Sequence, residues 1–352
     1  MSPVQVLSLA FVEFSGSRPH LLLDLFQQMG MQQVGSFGPS PQVTLHCQGQ
    51  IRFISNPGLG GNAEVFRRVH GRGASAIGFK VEDSEAAFQQ ALALGAVAAA
   101  QTDYDMPAIQ GVGTSLIYFV DDDREQALFR RFAYEPEVRI NPQTCLERVD
   151  HLTHNLRVGG VARMCHFYET IFGFEKIREF QIQGKKTGLY SAVMASPSRG
   201  IIIPLNETKD DQSQIAEYLQ EYNGEGIQHI ALMSYDIYQT VDYLSQQGIE
   251  FQTTPSTYYE LLDQRLPGHG EDVARLQKYK ILIDGDLSGG DLSGGDRDRN
   301  PKLLLQIFTR NSIGPIFFEY IQRKGHDGFG EGNFQALFES IELDQERRGV
   351  LQ

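Results

Sequence analysis

The sequence predicts an α+β protein of two domains, each made of two modules in which a helix is followed by several strands. Two observations support this class: helix-like stretches that end at a glycine, and short segments between them that are rich in β-branched and aromatic residues. The helix-like stretches are Ser17–Met29, Ser84–Leu94, Val161–Phe172 and Tyr235–Gln247. Ser17 with Pro19, and Ser84 with Glu85, are typical helix starts.

The strand candidates recur around the four helices, which indicates a weak internal repeat. They are Val4–Phe14, Ile51–Ser55, Ile77–Val81, Ser115–Val120, Val149–Val158, Leu189–Met194, Gly200–Leu205, Gln228–Ser234, Lys278–Ile283, Leu303–Thr309 and Ile316–Ile321. The polar, proline-containing stretch Tyr134–Cys145 predicts the boundary. It gives an N-terminal domain of residues 1–138 and a C-terminal domain of residues 145–352.

Composition excludes several functional classes. The hydrophobic content of 41% and the charged content of 21% are those of a globular protein, and the net charge of −13 argues against a nucleic-acid partner. The three cysteines form no CxxC pair, which fits a reducing cytosol. We see neither a signal peptide nor an apolar run of membrane-spanning length, so we expect a cytoplasmic protein without a membrane partner.

An acidic tandem duplication stands apart from the repeat. Asp286–Asp296 reads Asp-Leu-Ser-Gly-Gly-Asp-Leu-Ser-Gly-Gly-Asp. Such Asp/Gly repeats can build calcium sites, but two short copies cannot supply a cage of six or more oxygens without help. We favour a flexible hairpin loop.

The strongest chemical signal is a widely spaced trio, His151, His229 and Glu319, each in a strand candidate. Alternation puts His229 on one face with Ile227 and Ala231, and Glu319 on one face with Phe317 and Ile321. A buried carboxylate among apolar neighbours is costly unless it is paired or bound to a metal. Two imidazoles and one carboxylate form the facial triad of non-haem Fe(II) oxygenases, which leaves coordination positions open.

The residues alone leave two points open. His151 and His154 are three apart and face opposite sides of a strand, so only one of them can join a given metal site. Arg323 is a possible ion-pair partner for Glu319, but it stands at the strand end, where we expect it to reach solvent. Each histidine taken alone is more often a structural residue.

Three motifs indicate which protein family the chain resembles. They are Val149–Asn155 (Val-Asp-His-Leu-Thr-His-Asn), Gly226–Leu232 (Gly-Ile-Gln-His-Ile-Ala-Leu) and Phe317–Arg323 followed by His326–Glu342, which contains Gly-Phe-Gly-Glu-Gly-Asn-Phe. The chain closely resembles the 4-hydroxyphenylpyruvate dioxygenase family over about residues 145–352, and weakly in the N-terminal half through Gly78–Ser84. The loop Arg310–Gly314 is shorter than the family pattern, and the acidic repeat is an insertion.

The resemblance implies the vicinal-oxygen-chelate fold, with two domains of paired βαβββ modules. It implies one Fe(II) per chain, held by His151, His229 and Glu319, since the family ligand is the histidine after Val-Asp. Aligning Asp83 with Asp236 puts Ala76 where His229 stands, so we expect no equivalent N-terminal site.

The resemblance also assigns pocket residues by motif. The catalytic set it implies is Ser191, Asn206, Gln228, Gln306 and Phe308. The substrate-binding set is Gln214, Phe317, Phe329, Asn333, Phe334 and Leu337. Aromatic rings suit a phenyl substrate, and amide groups can hydrogen-bond a phenol without adding charge.

The activity implied is conversion of 4-hydroxyphenylpyruvate and O2 to homogentisate and CO2 by oxidative decarboxylation, ring hydroxylation and side-chain migration. No organic cofactor is needed, and we expect a homo-oligomer, a dimer or a tetramer. Homogentisate can feed tyrosine breakdown or prenylquinone (tocopherol and plastoquinone) synthesis. Three alternatives remain: 4-hydroxymandelate synthase, against which Phe308 speaks; an extradiol dioxygenase; and a metal-free binding module.

The C-terminal segment predicts a lid. Phe334, Leu337, Phe338 and Ile341 recur at helical spacing, which indicates an amphipathic helix over Asn333–Glu346. The glycines at 325, 328, 330 and 332 predict a flexible hinge before it. An ordinary packing helix is the alternative, because the same apolar stripe serves both.

Overall fold

Strands and short helices alternate along the chain in the computed structural model, which describes residues 2–133, 141–183, 188–210, 213–286, 301–333, 335–337 and 340. The strands are β1 (Ser8–Gly16), β2 (Gln32–Phe37), β3 (Val43–Gln48), β4 (Ile51–Asn56), β5 (Arg72–Lys80), β6 (Ala108–Gln110), β7 (Leu116–Val120), β8 (Leu146–Leu156), β9 (Glu175–Gln183), β10 (Gly188–Ala195), β11 (Ile202–Glu207), β12 (Gly226–Ser234), β13 (Leu282–Asp286), β14 (Lys302–Phe308) and β15 (Phe317–Lys324).

The helices are short and lie between these strands. They are α1 (Pro19–Gln28), α2 (Gly61–His70), α3 (Ser84–Ala93), α4 (Asp122–Arg131), α5 (Gly160–Phe172), α6 (Gln214–Glu221), α7 (Ile237–Gln246), α8 (Ser256–Glu260), α9 (Leu262–Arg265) and α10 (Val273–Tyr279). None of the helices in the described part of the chain has the length and apolar character needed to span a bilayer.

The strands form two sheets, one from each half of the chain. Within the described residues the first has the order β2-β3-β4-β1-β5-β7-β6 and the second the order β13-β14-β15-β12-β8-β11-β10-β9. In the second sheet β8 pairs parallel with β11 and antiparallel with β12, and β12 pairs parallel with β15. The first sheet repeats this scheme with β1, β4, β5 and β7. The first strands of the two modules therefore lie side by side at the centre of each sheet, which confirms the predicted paired modules.

The four predicted helices are confirmed as α1, α3, α5 and α7, with ends that differ by at most two residues from the prediction. Helix α3 starts at the predicted residue but has a different cap. Its cap is Asp83 rather than Ser84, because the Asp83 carboxylate accepts a hydrogen bond from the Ala86 amide at 2.9 Å. Gly173 ends α5 in the left-handed region, at φ 65°, as its glycine predicts.

Two strand predictions begin four residues too early: β1 begins at Ser8 rather than at Val4, and the second is β13. Lys278 and Tyr279, predicted to begin a strand, end the helix α10, and the strand begins at Leu282. The helix starts at Asp272, whose carboxylate accepts from the Arg275 amide at 3.2 Å, and stops where Lys280 takes φ 59°. Helices α2, α4, α6, α8, α9 and α10 and strands β2, β3, β6 and β9 were not predicted.

One face of each sheet packs into a shared hydrophobic core. The ring centroid of Phe318 lies 6.3 Å from that of Phe14 and 6.0 Å from that of Phe53, so aromatic side chains of the two sheets meet. The division into residues 1–138 and 145–352 stays a prediction, and residues 134–140 lie outside the described part.

The acidic repeat connects two paired strands. Strands β13 and β14 are antiparallel, and Asp286 stands opposite Lys302. Residues 287–300 lie outside the described part, so the choice between a loop and a calcium site stays a prediction. Of the predicted lid helix Asn333–Glu346, residues 333, 335–337 and 340 are described as helical and the remainder lies outside the described part.

Candidate metal centre

Three adjacent strands of the second sheet bring the predicted trio together. Ala231 on β12 pairs with His151 of β8 on one side and with Glu319 of β15 on the other, while His229 lies two residues before it. His151 Nε2 lies 3.1 Å and His229 Nε2 3.5 Å from Glu319 Oε2. One potential ligand atom from each residue lies within 4.8 Å of the others. The face of the sheet that carries them is called the inner face below.

Hydrogen bonds at the outer ring nitrogens aim both imidazoles at this point. Asp150 Oδ1 accepts from His151 Nδ1 at 2.9 Å, and Gln228 Oε1 accepts from His229 Nδ1 at 2.5 Å. Since both acceptors lack a proton to donate, each Nδ1 carries the hydrogen and each Nε2 can present its lone pair. The Thr153 hydroxyl lies 2.9 Å from His229 Nε2 and can donate to that lone pair.

The electrostatics of the trio call for a cation. Glu319 is 2% exposed, and within the described residues its Oε1 has no hydrogen-bond partner. Burial raises the pKa of Glu319, but the two histidines outweigh burial and lower it. Burial lowers the pKa of His151, whereas the Glu319 and Asp150 carboxylates outweigh this effect and raise it to about 9. Two imidazole nitrogens and a carboxylate that converge in a buried site fit a divalent metal, which would replace the proton that the carboxylates favour on His151 and would also partner Glu319 Oε1.

His154 is excluded from this cluster by its direction. It faces the helix side of the sheet, where its Nε2 lies 2.8 Å from the hydroxyl of Tyr168 on α5. Burial lowers the pKa of His154 to about 3, so the ring is neutral. The predicted opposition of His151 and His154 on the strand is therefore confirmed.

The predicted alternation around His229 is wrong at one residue. The register of β12 shifts between Ile227 and His229, so Gln228 is an extra residue in the strand. Ile227 consequently packs in the outer core with Ile230 and Leu232, instead of sharing a face with His229. This bulge leaves Gln228 and His229 both half-buried and able to bond each other.

Three predicted phenylalanines surround the ligands. The Phe317 ring stacks on His229 at a centroid distance of 5.0 Å and an interplanar angle of 11°, and Phe308 meets both rings edge-on. Phe329 stands at the other ligand, with its centroid 5.7 Å from that of His151. The ligands thus have aromatic surface on two sides.

Two predicted polar residues form a row with a third that the sequence analysis did not single out. Ser191 on β10 pairs with Asn206 on β11, which pairs with Asn155 on β8. Asn155 is four residues after His151 and so shares the inner face. Within the described residues, neither Ser191 Oγ nor Asn155 Oδ1 has a hydrogen-bond partner, although both are buried. Such atoms can bind a polar ligand.

The glycines before the C-terminal helix serve close packing. A Cβ on Gly330 would lie 2.1 Å from Gln306 Oε1, and one on Gly332 would lie 2.3 Å from Asp284 Oδ1. Gly332 also donates its amide to Asp284 at 2.9 Å. The backbone at Gly330 therefore packs directly against Gln306, and the backbone at Gly332 against Asp284; the flexible hinge stays a prediction.

The remaining predicted residues are placed less centrally. Gln214 is exposed at the first position of α6. The buried Asn333 accepts a hydrogen bond from Tyr258 at 2.6 Å through Oδ1. Leu337 is half-buried against the core, and the side chain of Phe334 lies outside the described residues. Their substrate contacts stay predictions.

Arg323 does not reach solvent as predicted. Its side chain is 12% exposed and forms a two-point ion pair with Asp150, with Nε 2.8 Å from Oδ2 and Nη2 2.7 Å from Oδ1. The signal that could have found Asp150 is its position next to a ligand histidine, where metal sites commonly carry a carboxylate.

The first sheet has different residues at the equivalent positions. Gly78 on β5 pairs with Phe11 on one side and Tyr118 on the other, as Ala231 pairs with His151 and Glu319. Ala76, two residues before Gly78, stands in the place of His229. Phe11, Ala76 and Tyr118 belong to one apolar cluster, which offers neither imidazole nor carboxylate at these three positions.

Comparison with known proteins identifies the family. The family model described as hydroxyphenylpyruvate dioxygenase, N-terminal, matches residues 1–135, and that of the glyoxalase/bleomycin resistance protein/dioxygenase superfamily matches residues 148–262. A 4-hydroxyphenylpyruvate dioxygenase of Legionella pneumophila is 49% identical over 97% of this chain and 95% of its own length. The chain belongs to the 4-hydroxyphenylpyruvate dioxygenase family. It is therefore an enzyme of this family, with the vicinal-oxygen-chelate fold predicted above.

Other known proteins are similar to this chain over nearly its whole length. A 4-hydroxyphenylpyruvate dioxygenase of Pseudomonas aeruginosa is 42% identical over 99% of this chain and 97% of its own length. Hemolysin VllY of Vibrio vulnificus is 44% identical over 100% of this chain and 98% of its own. A mutant of 4-hydroxymandelate synthase from Streptomyces coelicolor has a similar fold, with a TM-score of 0.77 at 23% identity over 98% of this chain and 100% of its own.

Proposed function

We propose that this chain is an Fe(II)-dependent dioxygenase that converts 4-hydroxyphenylpyruvate and O2 to homogentisate and CO2. The observation that carries the proposal is the convergence of His151 Nε2, His229 Nε2 and the Glu319 carboxylate. It occurs in a chain 49% identical to a 4-hydroxyphenylpyruvate dioxygenase. The donor set of two imidazoles and one carboxylate suits ferrous iron.

When bound, the iron would supply dioxygen activation, and the protein supplies the arrangement around it. Asp150 and Gln228 hold a proton on the outer nitrogen of each ligand ring, so both rings offer a lone pair without reorganising. Phe317 holds the His229 ring by stacking. Because Phe308 and Phe329 add further aromatic surface, they exclude water from the ligands and offer a slot for a phenyl ring.

The polar groups of the inner face suit the two ends of such a substrate. We assign Ser191 and Asn206 to its polar contacts, with Asn155 as a third member of the row. Gln306 lies two residues before Phe308 on the same face, and its Oε1 is buried without a partner in the described region. We keep Gln214, Asn333, Phe334 and Leu337 as proposed substrate contacts.

Oxygen uptake with 4-hydroxyphenylpyruvate and Fe(II), followed by identification of the product, tests the proposal directly. We expect homogentisate and CO2. A 4-hydroxymandelate product would instead assign the synthase reaction, and tight ligand binding without oxygen uptake would assign a binding module.

A pair of histidine variants tests the ligand set. His229→Ala should lose iron and activity, because it removes one ligand atom. His154→Ala is the matched control, since this histidine bonds Tyr168 on the outer face and should keep the iron. Iron content is measured on anaerobically purified protein. Full iron occupancy in His229→Ala contradicts the ligand set.

We further propose that the protein is cytoplasmic and assembles as a dimer or a tetramer. Size-exclusion chromatography with light scattering measures the assembly. The proposed product, homogentisate, would enter tyrosine breakdown or prenylquinone synthesis.

A further inference from the structure

Arg323 joins the metal cluster to the turn that follows β15. On one side, its Nε and Nη2 donate to the two oxygens of Asp150, which in turn accepts from His151 Nδ1. On the other side, Nη1 donates to the backbone oxygens of His326 at 3.1 Å and Gly328 at 2.7 Å. One guanidinium group thus bonds both the carboxylate behind a ligand and the backbone beside Phe329.

A bulge makes this arrangement possible. The register of β8 against β12 shifts between Val149 and His151, so Asp150 is an extra residue in the strand. Adjacent residues of a regular strand point to opposite faces, whereas a bulge can redirect a side chain. Asp150 consequently reaches His151 and Arg323 together, although it precedes His151 in the chain.

Phe329 links the turn directly to the ligand His151. Its ring centroid lies 5.7 Å from that of His151 and 5.5 Å from Arg323 Cζ, so the ring contacts both the ligand and the cation. The turn, Phe329, Arg323 and Asp150 therefore form one continuous set of contacts that ends at His151.

We propose that Arg323 is a positioning residue that couples metal binding at His151 to docking of the turn 325–330. The inference rests on the proposed function in that it takes His151, His229 and Glu319 to bind a divalent metal. Arg323 fixes Asp150, Asp150 fixes the ring orientation of His151, and the same guanidinium fastens the turn. Coupling between two sites is reciprocal, so the bound metal also stabilises the turn.

Two arginine variants separate this coupling from simple support of the turn. Arg323→Met removes every donor. Arg178→Met is the matched control, because Arg178 Nη1 also fastens the turn region, through Glu331 Oε1 at 2.7 Å, but Asp150 does not mediate that contact. The probe is Co(II), titrated under its visible absorption bands. Arg323→Met should raise the Co(II) dissociation constant by about 10- to 100-fold, the range for partners that orient metal ligands, and Arg178→Met should leave it unchanged.

The effect of Co(II) on hydrogen exchange of the backbone amides in the turn supplies a readout that a merely structural role of Arg323 would not produce. In the wild type and in Arg178→Met, Co(II) should slow exchange in the turn. In Arg323→Met, exchange should be fast with or without Co(II). Wild-type Co(II) affinity in Arg323→Met, or persistent protection by the metal, overturns the coupling.

A double-mutant cycle keeps the test decisive if Arg323→Met folds poorly. Asp150→Asn removes the buried charge that Arg323 neutralises, so the double variant avoids an uncompensated carboxylate. Adding Arg323→Met to Asp150→Asn should not weaken Co(II) binding further, because the pathway through Asp150 is already cut. A further tenfold loss contradicts the proposal. If the wild type itself binds neither Co(II) nor Fe(II), the proposed function fails, which is a different result.

Discussion

His154 gives a stability prediction whose size follows from the structure. The side chain is fully buried, its Nε2 bonds the Tyr168 hydroxyl, and burial lowers its pKa to about 3. An unfolded histidine has a pKa of about 6.5, so below that pH the unfolded chain binds a proton that the folded chain refuses. The contribution of neutral His154 to the free energy of unfolding is therefore fully present above about pH 6.5 and is lost progressively as the pH falls below that value. Between pH 7 and pH 5, this one residue should cost about 2 kcal/mol at about 1.36 kcal/mol per pKa unit.

The assay is urea unfolding of the wild type and of His154→Gln at both pH values. Glutamine removes the titrating group, so the variant should lose about 2 kcal/mol less than the wild type between pH 7 and pH 5. His46, whose pKa burial lowers to about 4, is present in both proteins, so its contribution cancels in the difference. His20→Gln, at an exposed position, is the control and should match the wild type. Equal losses in the wild type and in His154→Gln would refute a neutral buried His154.

Three further changes have defined outcomes. Removing the metal with a chelator should lower the free energy of unfolding by about 2.7 kcal/mol relative to Fe(II) at 100 times its dissociation constant, and an unchanged melting temperature would contradict a bound ion. Gly330→Ala should cost about 1–3 kcal/mol for its φ of 75°, and more than Gly95→Ala at φ 99°, since only Gly330 lies against Gln306. Deleting residues 325–352 should abolish coupled turnover, and normal homogentisate output from the truncated protein would exclude a lid.

The family motifs predicted the trio, and strand alternation supported it only in part. Alternation placed Glu319 on one face with Phe317 and Ile321, but it left the choice between His151 and His154 to the resemblance, and it was wrong for Ile227 beside His229. The bulges at Asp150 and Gln228 could not be predicted, because each depends on which residue of the neighbouring strand it opposes. The two bulges decide which acceptor bonds each Nδ1, so the geometry of the hydrogen bonds that orient both ligand rings could not be predicted from the sequence.

Arg323 shows the same limit for charged residues. In the sequence it precedes Lys324 and a glycine-rich run, which favours solvent exposure. In the fold its partner is 173 residues away, and the ion pair buries it. The misassigned strand start at Lys278 has a local cause instead. The apolar run after Tyr279 favoured a strand, but the helix capped by Asp272 includes Lys278 and Tyr279 and ends just before that run.

The two sheets together show why the trio indicates function rather than folding. The same strand register holds Phe11, Ala76 and Tyr118 in the first sheet and His151, His229 and Glu319 in the second. The apolar set packs in a core cluster, so the fold itself requires no charge at these positions. In the second sheet the same places hold a buried carboxylate with an unpartnered oxygen, which costs stability unless a cation neutralises it. A metal that binds there removes this cost, so part of its binding free energy comes from neutralising the buried Glu319 carboxylate.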